Sequence, residues 1–188
     1  MGAFLPPHHP NEEDPTLAIQ RDFEIVEFLE QLGYHEAWIG EHHSGGFEII
    51  SSPEIFIAAA AERTKRIMLG SGVVSLPYHN PLMVAERFLQ LDHQTRGRAM
   101  LGIGPGQLQS DARMLGISAS TQRERMIESL GIILRLFSGE TITYESEWIT
   151  LVNAHTNLKP YTHPHPLVAV ASAVTPTGAK LAGEHGLG

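Results

Sequence analysis

Five short stretches of this chain are apolar without alternation: residues 1–5, 37–40, 67–74, 99–103 and 167–171. Strands covered on both faces read this way, whereas strands with one wet face alternate. Between them, apolar positions recur at helical spacing. Ile19, Phe23, Val26 and Leu29 share one face, with Thr16 as the expected cap and Gly33 as the stop. Pro53 suits the first turn of a helix over residues 54–63. Further helices are predicted over 82–94, on Met126, Leu130, Ile133, Leu134 and Phe137 up to Gly139, and over 176–184. Thr141–Tyr144 and Trp148–Leu151 flank Glu145–Ser146–Glu147 as a hairpin, residues 107–120 are polar, and residues 155–166 form a Pro- and His-rich loop. Gly186–Gly188 would lead into a further strand.

Five apolar strands alternating with helices predict a parallel α/β architecture. Residues 69–106 carry its central β-α-β unit, whose crossover should be right-handed. The pattern is compatible with an open doubly wound sheet and with a barrel segment. No repeat, low-complexity tract or second domain interrupts it, so residues 1–188 read as one domain.

Composition removes several function classes. With 13 basic and 21 acidic residues the net charge is −8, which favours neither nucleic acid nor an anionic membrane. The chain has no cysteine, hence neither a disulfide framework nor a thiol nucleophile. No signal peptide opens it and no apolar run reaches the roughly 18 residues of a membrane span, so a cytoplasmic location is expected. Eleven histidines is the unusual count.

In parallel α/β folds, ligands sit at the carboxyl ends of the strands. Taken strand by strand, the exits carry Pro6, Pro7 and His8; then Glu41, His42 and His43; then Ser75, Pro77 and His79; then Gly104 and Gly106; then Ser172 and Thr175. The set predicts a pocket with histidines for proton transfer and a phosphate seat at a helix N-terminus. Each member has a plainer reading: loop histidines, a tight glycine turn, a solvated Arg96–Gly97–Arg98 turn. The chain has neither HxxxH on a helix nor an HxH strand end with a carboxylate, so no metal is expected.

Several linked motifs nevertheless occur in order. Trp38-Ile39-Gly40-Glu41-His42-His43, the stretch GSGVVSLPYHNPLMVAERFLQLDHQTRGRAMLGIGPG (70–106) and LKPYTHPHPLVAVAS (158–172) together resemble the bacterial luciferase-like flavin-dependent monooxygenases. Within that family, HHSGGFEIISSPEIFIAAAAERT and GSGVVSLPYHNP are most similar to the limonene monooxygenase group. The resemblance implies a (β/α)8 TIM barrel that binds reduced FMN and uses O2 to oxygenate a small apolar organic substrate, limonene-like compounds among the candidates. It implies proton transfer by His42, with His43 beside it, and a cis peptide at Gly72–Val73 under the flavin ring. Gly104 and Pro105 stand where luciferase has a cysteine and a phosphate-contacting arginine, and Ala171 where it has a glutamate. Gly106, Ser172 and the backbone of Thr175 are then the remaining cofactor contacts. No nicotinamide fingerprint follows a strand, so a separate flavin reductase is expected to supply electrons. A flavin-binding module without catalysis, and an oxidoreductase using the deazaflavin F420, are the alternatives.

A barrel of this type needs roughly 250 residues. The 188 here account for about five strand–helix units, a partial barrel. Alone, such a chain is expected to be inactive, and to self-associate through its open strand edges as a homo-oligomer.

Overall fold

A computed structural model of the chain describes residues 1–6, 8–172 and 176–188. Its parallel strands are β1 (Gly2–Leu5), β2 (Glu36–Ile39), β3 (Met68–Ser71), β4 (Val74–Ser75), β5 (Ala99–Gly104) and, after a hairpin of β6 (Ile142–Glu145) and β7 (Thr150–Ala154), β8 (Leu167–Val170). The helices are α1 (Pro15–Gln31), α2 (Pro53–Arg63), α3 (Pro81–Thr95), α4 (Gln109–Met114), α5 (Gln122–Phe137) and α6 (Thr177–His185). None is long and apolar enough to cross a membrane.

Along the sheet the order is β1-β2-β3-β5, with β4 and β8 also paired to β5 and every pairing parallel. Successive strands are therefore neighbours, and successive helices pack in the same order, α1 on α2, α2 on α3, α3 on α5. A doubly wound sheet would send helices to both faces. A single file of helices along an unreversed strand order is instead the wall of a barrel, and this wall is not closed. The core lies between the two layers, where Ile39, Ile57, Leu69, Phe88, Leu101 and Leu130 are fully buried.

Local chemistry sets the element ends. The α1 cap is Asp14, not Thr16: its carboxylate accepts from the backbone N–H groups of Thr16 and Leu17, and Pro15 takes the first helical position. Asn80 and Pro81 repeat the device at α3. The predicted strand over residues 67–74 is two pieces. Between the pairs Gly70↔Met100 and Val74↔Ile103, four steps on one strand oppose three on the other, which is a bulge. The Ser71 hydroxyl fills the gap, donating to Gly102 O at 2.9 Å and accepting from Gly102 N at 3.0 Å.

Two further expectations change. Trp148 and Ile149 belong to the hairpin turn, where the Ser146 hydroxyl accepts from both backbone N–H groups. Arg98 is no solvated side chain: its guanidinium donates to the carbonyls of Ala61, Thr64 and Ile67 and to the Thr64 hydroxyl, at 2.9–3.3 Å. It ties α2, β3 and β5 together at the end of the sheet opposite the site.

Candidate functional site

The carboxyl ends of the strands surround a cavity of about 710 Å³, within the range of about 300–1,000 Å³ usual for small-molecule and cofactor pockets. Its apolar walls come from Phe4, Trp38, Val73 and Met126. Glu41 and His42 follow β2 into it, the bulge contributes Gly72, β5 contributes Gly104, Pro105 and Gly106, and Ser172 follows β8. Arg123 of α5 and Thr177 at the start of α6 line it as well, with the guanidinium 3.1 Å from the Thr177 hydroxyl. Thr175, the other phosphate candidate, lies outside the described residues.

The Gly72–Val73 peptide is cis. Gly104 is required by its neighbour across the bulge, since a Cβ there would stand 2.7 Å from Val73 Cγ2. Gly106 has φ +84°, a left-handed backbone that suits glycine, and a Cβ would run into the Tyr78 hydroxyl. The glycines thus keep the wall thin for internal reasons and leave main chain at its surface.

The two histidines of the β2 exit part company. His42 lines the cavity, with Nδ1 3.3 Å from Asp111 Oδ2 and Nε2 3.2 Å from Glu48 Oε1. His43 is not among the lining residues. Its Nε2 lies 2.7 Å from Glu41 Oε1, and His79 Nε2 lies 2.8 Å from the same oxygen. Ser75 N donates to Glu41 Oε2 at 2.9 Å, so the carboxylate is held on both oxygens. Burial pushes the Glu41 carboxyl up, but the bonds from His43, His79 and Ser75 outweigh it and hold it at about 2. The same bond from Glu41 raises His43, with burial opposing.

Glu41, His43 and His79 place three donor atoms within 4.8 Å of one another, a grouping that short sequence spacings did not reveal. Each of those atoms is already satisfied inside the trio, so the group reads as an ion-paired network. Asp111 also left no mark on the sequence pattern. It lies on α4, inside the polar stretch 107–120, and is buried while accepting from His43 N and the Ser44 hydroxyl. A buried aspartate 69 residues from the histidine it meets leaves no local trace. Arg123 was missed because it stands on the polar side of an otherwise ordinary amphipathic helix.

The chain is therefore a barrel-type α/β protein with a cavity at the carboxyl ends of its strands. It belongs to the luciferase-like monooxygenase family, whose profile matches residues 1–188. It is 52% identical over its whole length to limonene 1,2-monooxygenase of Rhodococcus erythropolis, covering 48% of that protein. It is 54% identical over 99% of its length to 4-hydroxyprotoasukamycin monooxygenase of Streptomyces nodosus subsp. asukaensis, covering 50% of it. Among solved structures it superposes with a TM-score of 0.88 and 25% identity on the oxygenating constituent of 3,6-diketocamphane monooxygenase from Pseudomonas putida, in complex with FMN. That match covers 99% of this chain and 55% of the other. The chain spans about half the length of the curated relatives it matches.

Proposed function

We propose that this chain forms the flavin-facing wall of a cytoplasmic monooxygenase that takes reduced FMN from a separate reductase and uses O2 to oxygenate a small apolar substrate. The observation that carries the reading is the convergence of His42, the Gly72–Val73 bulge and Gly104 on one cavity with a cation at its rim. The residues fit the cofactor. Trp38, Val73 and Met126 offer apolar surface for a ring system, and Arg123 beside Thr177 offers charge-assisted donors for a phosphate. Arg123 would thereby stand in for the arginine absent at position 105.

Bound reduced FMN supplies the electrons for oxygen activation. The chain's own residues bind, exclude water and move a proton. In the complete barrel the apolar walls would keep bulk water from the reacting centre, and His42 would hold or accept a proton at Nε2, with Asp111 at Nδ1 orienting the ring. The identity to limonene 1,2-monooxygenase and the apolar lining both support a limonene-like substrate. Among the described residues β1 pairs on one side only, and the far edge of β8 meets just Gly188, whose N–H donates to Val168 O at 3.1 Å and whose O accepts from Val170 N at 2.9 Å; these largely open edges favour self-association of this chain. Water would enter by that open side, so the 188 residues alone should not oxygenate.

The test is a titration of Trp fluorescence with reduced FMN, oxidised FMN and reduced F420, together with O2 consumption and product analysis on the full-length gene product. Saturable FMN quenching with oxygenated product is expected. Preference for F420 without O2 use, or flavin binding without turnover, would replace the proposal with the corresponding alternative.

A further inference from the structure

His42 is connected to the protein surface. The His8 side chain, in the loop after β1, is 58% exposed, that of Glu48 is 5% exposed and that of His42 19%. His8 Nε2 lies 2.7 Å from Glu48 Oε1, and His42 Nε2 lies 3.2 Å from the same oxygen. Backbone contacts hold the three in place. An isolated antiparallel bridge pairs His8 with Glu48, His9 N donates to Phe47 O at 2.7 Å, and His42 N donates to Ile50 O at 3.1 Å. The His8 ring meets Phe47 edge-on at 5.4 Å. Glu48 itself is not among the residues lining the cavity, and Asp111 faces the other ring nitrogen of His42. The Glu48 oxygen lies between two imidazoles, one wet and one at the cavity wall, and so spans from solvent to the cavity.

We propose that Glu48 relays protons between His42 in the cavity and His8 in solvent. The inference rests on the proposed function for its purpose: a site that excludes water and exchanges protons with a reactant needs a route to bulk solvent. A proton on His42 Nε2 passes to Glu48 Oε1, and Glu48 gives it to Nε2 of a neutral His8. His8, then an imidazolium, turns its exposed ring to water, releases the Nε2 proton there and turns back with Nε2 free to accept again. One proton moves from His42 to water, no electron does, and Glu48 and His8 return to their initial states.

The relay is tested without cofactor by NMR on the full-length gene product labelled with 15N-histidine, reading exchange of the His42 ring N–H with water in wild type, His8→Phe and Glu48→Gln. Phenylalanine keeps the ring volume against Phe47, so it does not open Glu48 to water. Both variants should slow exchange about 10²-fold or more, the order of a lost acid–base step. In the complete enzyme, His8→Phe should lose turnover that added imidazole buffer restores, while FMN affinity stays unchanged. A merely structural His8 would show no buffer rescue. Unchanged exchange in His8→Phe would overturn the relay, and that variant decides alone if Glu48→Gln does not fold. Should wild type consume no O2 with reduced FMN, the proposed function fails, and the exchange measurement still decides the relay.

Discussion

Replacing Glu41 with glutamine isolates the charge at the centre of the His43–His79 network. Glutamine copies the shape and neutrality of a protonated carboxyl, so its cost approximates that of protonating Glu41 in the fold. Glu41 is 4% exposed, and its carboxyl is lowered from 4.5 to about 2. A shift of that size corresponds to about 3 kcal/mol. The signs define a pH window. A depressed acid contributes stability above its unfolded value of 4.5 and loses it as pH falls through about 2. His43 is raised, so its share is complete below 6.5 and fades as pH rises through its folded value. The two shares describe one shared bond and are not summed. Glu41→Gln should therefore unfold in urea with a deficit of about 3 kcal/mol at pH 5–6, or melt roughly 6–12 °C lower. The deficit should shrink above neutral pH, as wild type releases the His43 proton. A deficit below about 1 kcal/mol at pH 6, or one constant from pH 5 to 9, would refute the network reading.

Other perturbations separate binding, chemistry and scaffold. Arg98→Ala removes the donor from four carbonyls that the guanidinium now serves, and urea denaturation should show a loss of about 2–3 kcal/mol with no change in the cavity's ligand preference. Arg123→Ala should weaken FMN about 10- to 100-fold by fluorescence titration, yet leave riboflavin, which lacks the phosphate, unaffected; equal losses for both would remove Arg123 from the phosphate seat. In the complete enzyme, His42→Ala should bind FMN within a few-fold of wild type but oxygenate about 10²–10⁴-fold more slowly. Full product yield from that variant would end the proton-transfer role.

The uninterrupted apolar runs of β2, β5 and β8 announced a buried parallel sheet, because strands covered on both faces cannot alternate. Helical periodicity placed α1, α3 and α5, although Pro15 moved the α1 cap to Asp14. The order of motifs pointed to the family, and the carboxyl-end rule together with that resemblance gathered His42, Gly72, Gly104 and Ser172, which the fold brings to one cavity. The chain pattern left open whether helices covered one face or two. Packing of α1, α2, α3 and α5 in single file answered that. The one-residue surplus between β3 and β4 was equally silent, since a bulge exists only relative to a partner strand. Partners of the charged groups are long-range facts too: Glu41 meets His79 across 38 residues, His42 meets Asp111 across 69, and His8 shares Glu48 across 40. Residue types and local spacing determine what each segment can become. Which imidazole shares which carboxylate depends on strands brought together only when the sheet forms, and that is why only the tertiary structure put Asp111 and Glu48 on His42 and Glu41 on His43.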